Sequence, residues 1–247
     1  MLKQINAAYL YDGSYYGMLC CVFESFSAKE LPLEIVSDGI TLFPVKEIAT
    51  DIDKAERVEN GIINKISGDA LNYVRLAYLC SYKDKEIAVI RFLRAGFKYG
   101  KRVADMLTHE DVMPIAKAVK LISTEKVRWI EFIRFSEYDK VLISIIEPEN
   151  RVLPLIVSHF TNRFPNERFM VYDRTHKEAL IYEKKQADII PLIDFELPEA
   201  DGEEQKYRKL WRMFYDNIAI EERRNERCRM NFMPKKYWKR MTEFTTD

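Results

Sequence analysis

The chain lacks any apolar run approaching the roughly 20 residues that a membrane-crossing helix requires. Its first residues, MLKQINAAYLYDG, hold neither a long apolar stretch nor a small-residue cleavage site of the secretory kind. A cytoplasmic protein without membrane attachment is expected. Cysteine is sparse: the four residues stand at 20, 21, 80 and 228, and no pair has the two-residue spacing of zinc or redox sites. Buried, reduced thiols are the expectation. An iron–sulfur site of the radical SAM type needs three closely spaced thiolates, which this chain cannot supply, so such chemistry would have to come from a partner. HExxH, paired His-Cys zinc spacing and a Gly-x-Ser-x-Gly elbow are also missing. The chain is therefore expected to carry no metal or cofactor of its own. With only 8 Gly and 9 Pro, disordered and fibrous classes are excluded. Lysine and arginine equal aspartate and glutamate at 39 each, so any cationic surface has to be local.

What is present is a globular composition, 47% apolar and 32% charged over 247 residues, long enough for one large domain or two small ones. A strand is predicted over Ala8 to Tyr11, closed by Asp12-Gly13, with Asp12 placed to cap a following helix. The apolar spacing of Tyr15, Met18, Leu19, Val22, Phe23 and Phe26 is helical. A short strand pair is predicted around Glu34 to Phe43, turning at Asp38-Gly39. Helical patterns dominate from about Asp53 to Ser123, broken at Ser67-Gly68-Asp69. Gly96 and Gly100 share a helix face, which fits close packing or a helix end better than a phosphate loop.

The second half changes character. Trp129 to Phe135 and Val141 to Ile146 read as strands joined through Glu137-Tyr138-Asp139-Lys140, a hairpin. A helix follows, with Val152, Leu155, Ile156 and Phe160 on one face. Strands over Arg168 to Tyr172 and Ala179 to Glu183 flank a polar loop. The predicted fold class is α+β, an antiparallel sheet flanked by helices with a helix-rich N-terminal half. The chain divides at 1–125 and 126–247, or runs as one continuous domain. From Asp188 to Glu204 it holds seven acidic residues and no Lys or Arg; with Pro191, Pro198 and Gly202 this reads as a linker. Tyr207, Leu210, Trp211, Phe214 and Ile218 then predict a helix whose apolar face docks on the sheet.

The last stretch inverts the charge. From Arg223 to Arg240 eight Lys or Arg stand against one acidic residue, Glu226, interleaved with Phe232, Tyr237 and Trp238. Cations with aromatic rings are what a nucleic-acid-facing surface uses for phosphate contact and base stacking. Candidate nucleic-acid contacts are Arg223, Arg224, Arg227, Arg229, Lys235, Lys236, Tyr237 and Trp238. The bland alternative is local ion pairing, or neutralisation by the acidic linker. Pro234 ends any helix before Lys235. Arg134 and Arg163 join the candidates. On an alternating strand Arg134 shares a face with Ile130 and Phe132, where a buried guanidinium calls for a carboxylate or an anionic ligand. His159 lies beside the apolar face of its helix, more as a core residue than a catalytic one, and His109 and His176 read as loop or cap residues. If the chain is an enzyme, Glu147, His159 and Asp173 are the first suspects as acid or base.

Taken in order, several pieces resemble one bacterial family. They are Tyr11-Asp12-Gly13-Ser14-Tyr15 with Gly17-Met18-Leu19 and Val22-Phe23-Glu24; Phe92-Leu93-Arg94-Ala95-Gly96-Phe97; Glu125, Arg128 and Phe132-Ile133-Arg134-Phe135; His159-Phe160 with Arg163-Phe164; Tyr172-Asp173-Arg174; and the closing Met233-Pro234-Lys235-Lys236-Tyr237-Trp238. Val127 and Glu131 depart from the family pattern, which has His and Gly there. The resemblance is to a domain of unknown function found in DNA repair or DNA metabolism proteins. It implies a gene neighbour that is a radical SAM protein of DNA modification or repair, and in other bacteria fusion to a uracil-DNA-glycosylase-like domain. The expected function is a DNA-binding accessory that presents DNA to that radical SAM partner. The alternatives are an enzyme acting directly on DNA, as a base-excising or nucleotide-processing hydrolase, and a protein-interaction module.

Overall fold

Residues 3–196, 202–218 and 225–244 are described by the computed structural model. Two units partition the chain, Met1–Ser123 and Thr124–Asp247.

In the first unit Lys3–Gln4 (β1) pairs in parallel with Glu30–Leu31 (β3). Ala8–Leu10 (β2) lies between Glu34–Val36 (β4) and Val45–Glu47 (β5), parallel to both. The hairpin predicted over 34–43 does not form. Gly39 does turn the chain, but β2 is a buried strand with hydrogen-bonding groups on both edges, and the strands either side of the turn each satisfy one. Tyr15–Ala28 (α1) follows the predicted spacing. Its cap is Ser14, whose hydroxyl accepts from Gly17 N at 2.9 Å, and not Asp12. Asp12 instead accepts from Ser14 N (2.9 Å) and the Thr50 hydroxyl (2.7 Å), bonds that hold its carboxyl below the usual range. A Cβ on Gly17 would run into the Asp12 carboxylate and the Thr50 hydroxyl, so a larger residue here would push apart the bonds that close this turn over the helix.

Ile52–Lys65 (α2), Gly68–Leu79 (α3) and Lys85–Tyr99 (α4) complete the unit with a 3-10 turn over Gly100–Asp105. The predicted break is the cap of α3, where Ser67 accepts from Ala70 N at 3.1 Å. Gly96 packs on Ile66, and Gly100 ends α4 with φ +64. Both glycines thus serve helix packing and a helix end.

Met113–Phe132 (α5) overturns the first strand predicted for the second half. The buried residues Ile115, Ala118, Ile122, Glu125, Trp129, Phe132 and Ile133 follow helical spacing, and this long stripe outweighs the β-propensity of its last turns. Arg134 accordingly follows a helix and does not alternate along a strand.

The second unit is built on a five-stranded sheet. Ser136–Tyr138 (β6) and Val141–Ile146 (β7) form the hairpin, turning at Asp139-Lys140, both with positive φ. Leu153–Arg163 (α6) then crosses over to Arg168–Asp173 (β8), which runs parallel to β7, and Glu178–Glu183 (β9) returns antiparallel. Gln186–Pro191 (β10) adds an exposed edge strand where the sequence predicts a linker, giving the order β10-β9-β8-β7-β6. The sheet is therefore mixed and not purely antiparallel, because the α6 crossover forces β7 and β8 to run the same way. One face carries Phe169 and Tyr182, their rings 5.0 Å apart, with Phe160 and Phe135 packed beside them. The other buries Ile145, Tyr172 and Ala179 in register under Leu192 and Phe195.

Gly202–Ile218 (α7), Glu226–Phe232 (α8) and Lys235–Trp238 (α9) close the chain. The expected docking of the apolar face of α7 on the sheet is not what is found among the described side chains. Tyr207, Leu210 and Trp211 are exposed, while the α7 contacts with β6 are polar: Arg208 reaches Ser136 Oγ (2.9 Å), and Glu204 accepts from Glu137 N (3.3 Å).

Candidate nucleic-acid interface

The sequence composition of the basic segment is uniform, but its side chains divide into two groups. Arg223 and Arg224 lie outside the described residues. Asn225 caps α8, accepting from Cys228 N at 2.9 Å, and Pro234 separates α8 from α9 as expected. Tyr237 is 1% exposed, its ring 4.8 Å from Trp129 and 5.1 Å from Phe132, so it anchors the segment in the core and offers no ring face for stacking. Burial pushes its hydroxyl pKa up. Lys236 binds Glu149 at 2.7 Å. Burial pulls the Lys236 pKa down, but the bond to Glu149 together with the nearby charges of Tyr237, Glu149 and Glu125 outweighs it and the net shift is upward. Lys239 and Arg240 both pair with Glu147. Burial raises that carboxyl, yet the two cations more than offset it and hold it below the ordinary range. The acids that pair with Lys236, Lys239 and Arg240 thus come from the β7–α6 loop; Glu199 and Asp201 of the acidic stretch lie outside the described residues. The loop is itself fixed by Glu125, 6% exposed, which accepts from Glu149 N (2.8 Å), Asn150 N (3.0 Å) and Asn150 Nδ2 (2.7 Å).

The second group remains available. Trp238 stacks on Phe244 (4.5 Å, 15°) and donates its indole N–H to Met233 O (2.9 Å). Arg229 lies over both rings, at 5.0 Å and 5.5 Å, with Glu226 at 3.6 Å, and Lys235 Nζ is 5.7 Å from Trp238. Arg227 is exposed, and no described carboxylate pairs with Arg227 or Lys235. Two cations without a described carboxylate partner thus stand on the same short segment as a cation-capped ring stack.

Arg134 meets the carboxylate that its burial demands. Its fork takes Glu243 through Nη2 (2.7 Å) and Nε (3.4 Å), and the same carboxylate accepts the Trp211 indole N–H at 3.2 Å. These residues border a cleft of about 450 Å³ between α7 and the ends of α5 and α6. Glu204, Tyr207, Arg208 and Trp211, at helical spacing, form one wall; Phe135, Phe160, Arg163 and Phe164 form the other. Arg208 is held by Glu204 at 2.9 Å. Arg163 is exposed, its guanidinium 5.6 Å from the Phe164 ring centre, with no described carboxylate partner.

The candidate acids and bases are placed as follows. Glu147 and Asp173 come to neighbouring strand ends, since Ile146 pairs with Asp173, but no described hydrogen bond joins His159 to either. His159 sits on α6, its ring edge-on to Phe160 at 4.9 Å. Asp173 is fully buried and accepts from Thr175 N (2.9 Å) and His176 N (3.0 Å), with His176 Nδ1 at 2.7 Å. It ties the turn after β8, and His176, read from sequence as a loop residue, is its partner. Among the described residues no three His, Cys, Asp or Glu side chains gather as a metal site would require. Glu125 and Glu243 are the residues sequence reasoning missed. Glu125 could have been found as the one charged position on the apolar stripe of α5; nothing local marks Glu243.

The architecture is that of a mixed α/β protein with several sheets, bearing an arginine-and-aromatic cleft and a clamped basic segment on its second unit. The chain belongs to the DUF4130 family, a domain of unknown function whose model matches residues 83–243. No curated protein and no solved structure matches it. Among the described residues no helix is long and apolar enough to cross a membrane.

Proposed function

We propose that the protein is a DNA-binding accessory that presents DNA to a radical SAM partner of DNA modification or repair. The observation that carries this reading is in the C-terminal segment: Arg227 and Lys235 have no carboxylate partner among the described residues, on the segment that holds the Arg229–Trp238–Phe244 stack. Cations without an acidic partner among the described residues neutralise phosphates, and several on one short segment serve a polyanion better than a small substrate. Support also comes from the resemblance, which implies a radical SAM gene neighbour and, elsewhere, fusion to a uracil-DNA-glycosylase-like domain. Both Arg223 and Arg224 remain proposed contacts. Lys236, Tyr237 and Arg134 have structural partners and are not needed for the binding surface.

The test is the salt dependence of affinity for labelled DNA. Wild-type affinity is expected to fall steeply with salt. Arg227→Glu with Lys235→Glu is expected to lower the log–log slope by about 2, one unit for each phosphate no longer neutralised. Unchanged affinity and slope in this double reversal, and in Arg223→Glu with Arg224→Glu, would sink the reading. A second reading, a protein-interaction module, is favoured by the ion-paired Lys236, Lys239 and Arg240 and by the exposed apolar residues of α7. It predicts co-purification with the radical SAM protein and no binding to either form of DNA.

A further inference from the structure

The cleft of the second unit has a chemistry distinct from that of the basic segment. Tyr207 and Trp211 stand 68% and 42% exposed on one wall, and Phe164 lies on the other with Arg163 above it. Phe164 also packs on Phe135, Phe160 and Phe169, whereas the Tyr207 ring is largely exposed and is apolar surface that a ligand can cover. Trp211 does not swing freely, because its indole N–H is held by Glu243, and Glu243 by the Arg134 fork. A fixed ring is a pre-organised platform, which lowers the ordering cost of stacking a planar ligand on it.

The charges of the cleft are nearly all accounted for within the fold. Glu243 cancels Arg134 and Glu204 cancels Arg208, which leaves Arg163 as a guanidinium without a described carboxylate partner. One cation without a described carboxylate partner, beside ring-bearing walls, matches a single phosphate flanked by its base. The volume of about 450 Å³ is that of a small-ligand site, in the range of about 300–1,000 Å³. A duplex keeps its base faces stacked inside and could offer these rings nothing but phosphates and groove edges. An unpaired strand presents the faces themselves.

We propose that this cleft receives an unpaired nucleotide of a single strand, its base stacked on Tyr207 or Trp211 and its phosphate on Arg163. The inference rests on the nucleic-acid reading above and specifies the strand form and the subsite. Tyr207 supplies the probe, since its ring is exposed and its removal leaves the Arg134–Glu243–Trp211 tie intact.

The experiment uses the full chain, fluorescein-labelled oligo(dT), and the duplex of the same oligomer with oligo(dA), read by anisotropy. Wild type is expected to bind the single strand at least tenfold more tightly than the duplex. Tyr207→Ala should weaken single-strand binding about tenfold and leave the duplex unchanged, while Tyr207→Phe, which keeps the ring, should restore it. Arg163→Ala should lower the single-strand salt slope by about 0.7. A circular-dichroism melt of each variant establishes that it is folded. Equal affinity for both forms, insensitive to Tyr207→Ala but sensitive to Arg227→Glu with Lys235→Glu, would overturn the cleft proposal and leave DNA binding standing. Binding of neither form would overturn both. If, in addition, capture of the radical SAM protein is abolished in Tyr207→Ala, the cleft is a protein-docking site.

Discussion

Among single residues, Glu147 carries the most consequence. One carboxylate, lying between the strands and the crossover helix, receives both Lys239 and Arg240 and so fixes where the last turn of the chain lies. Its folded pKa is depressed, so its stabilising contribution is complete above the ordinary carboxylate range and is lost as pH falls through the lower, folded value. Asp12 and Glu30, both also depressed, add to the same acid limb from the first unit. Glu147→Gln is expected to cost about 1 kcal/mol at neutral pH. It should also flatten the fall in melting temperature on acidification, with the contributions of Asp12 and Glu30 remaining. Thermal melts of wild type and variant from neutral pH down to about pH 3 measure both effects, and an unchanged acid limb would count against the clamp. The same ion pairs explain why the basic segment was only half legible in the sequence. Its acidic partners lie 87 to 93 residues earlier in the chain, and no local pattern links Lys236 to Glu149 or Arg240 to Glu147. Tyr237 and Trp238 are neighbours of similar character, yet one is core and the other surface, a distinction made by packing against Trp129 and not by composition.

Legibility at the level of elements depended on whether the deciding signal was local. The helix α1, the break at Ser67-Gly68-Asp69 and the strands β8 and β9 could be read directly, because their apolar spacing and turn residues are local, although the cap of α1 falls on Ser14 and not Asp12. Trp129 to Phe135 could not. Its alternation of aromatic and β-branched residues fits a strand as well as a helix, and only the stripe that begins at Ile115 decides between them. The strand β10 was missed for a different reason. Its hairpin turn is Lys184-Lys185, both residues at positive φ (52° and 65°), where Asn or Gly would have signalled a turn. That mismatch yields a prediction. Lys184→Asn with Lys185→Gly should stabilise the protein by about 1–2 kcal/mol, since an L side chain in the left-handed region is strained. Urea unfolding midpoints measure it, and a loss of stability would mean that the two lysines make interactions worth more than the strain.

For the molecule as a whole, a formal net charge of zero means that attraction to a polyanion cannot come from the net charge and has to come from local cation clusters such as the basic segment. It also predicts low colloidal stability near neutral pH, with light scattering in low salt rising there and falling on either side. The sheet of the second unit bears on what such association can become. One edge, β6, is covered by side chains of α7, with Glu204 on the Glu137 N–H and Arg208 over Ser136. The other, β10, pairs with no further strand among the described residues, carries Asp188 and ends in Pro191, which has no N–H to give. A strand ladder grows into a fibre only when every added molecule brings two free sides, one to join and one to pass on. Among the described residues the sheet of the second unit has a single side to offer, and partners that meet through it close that ladder on themselves.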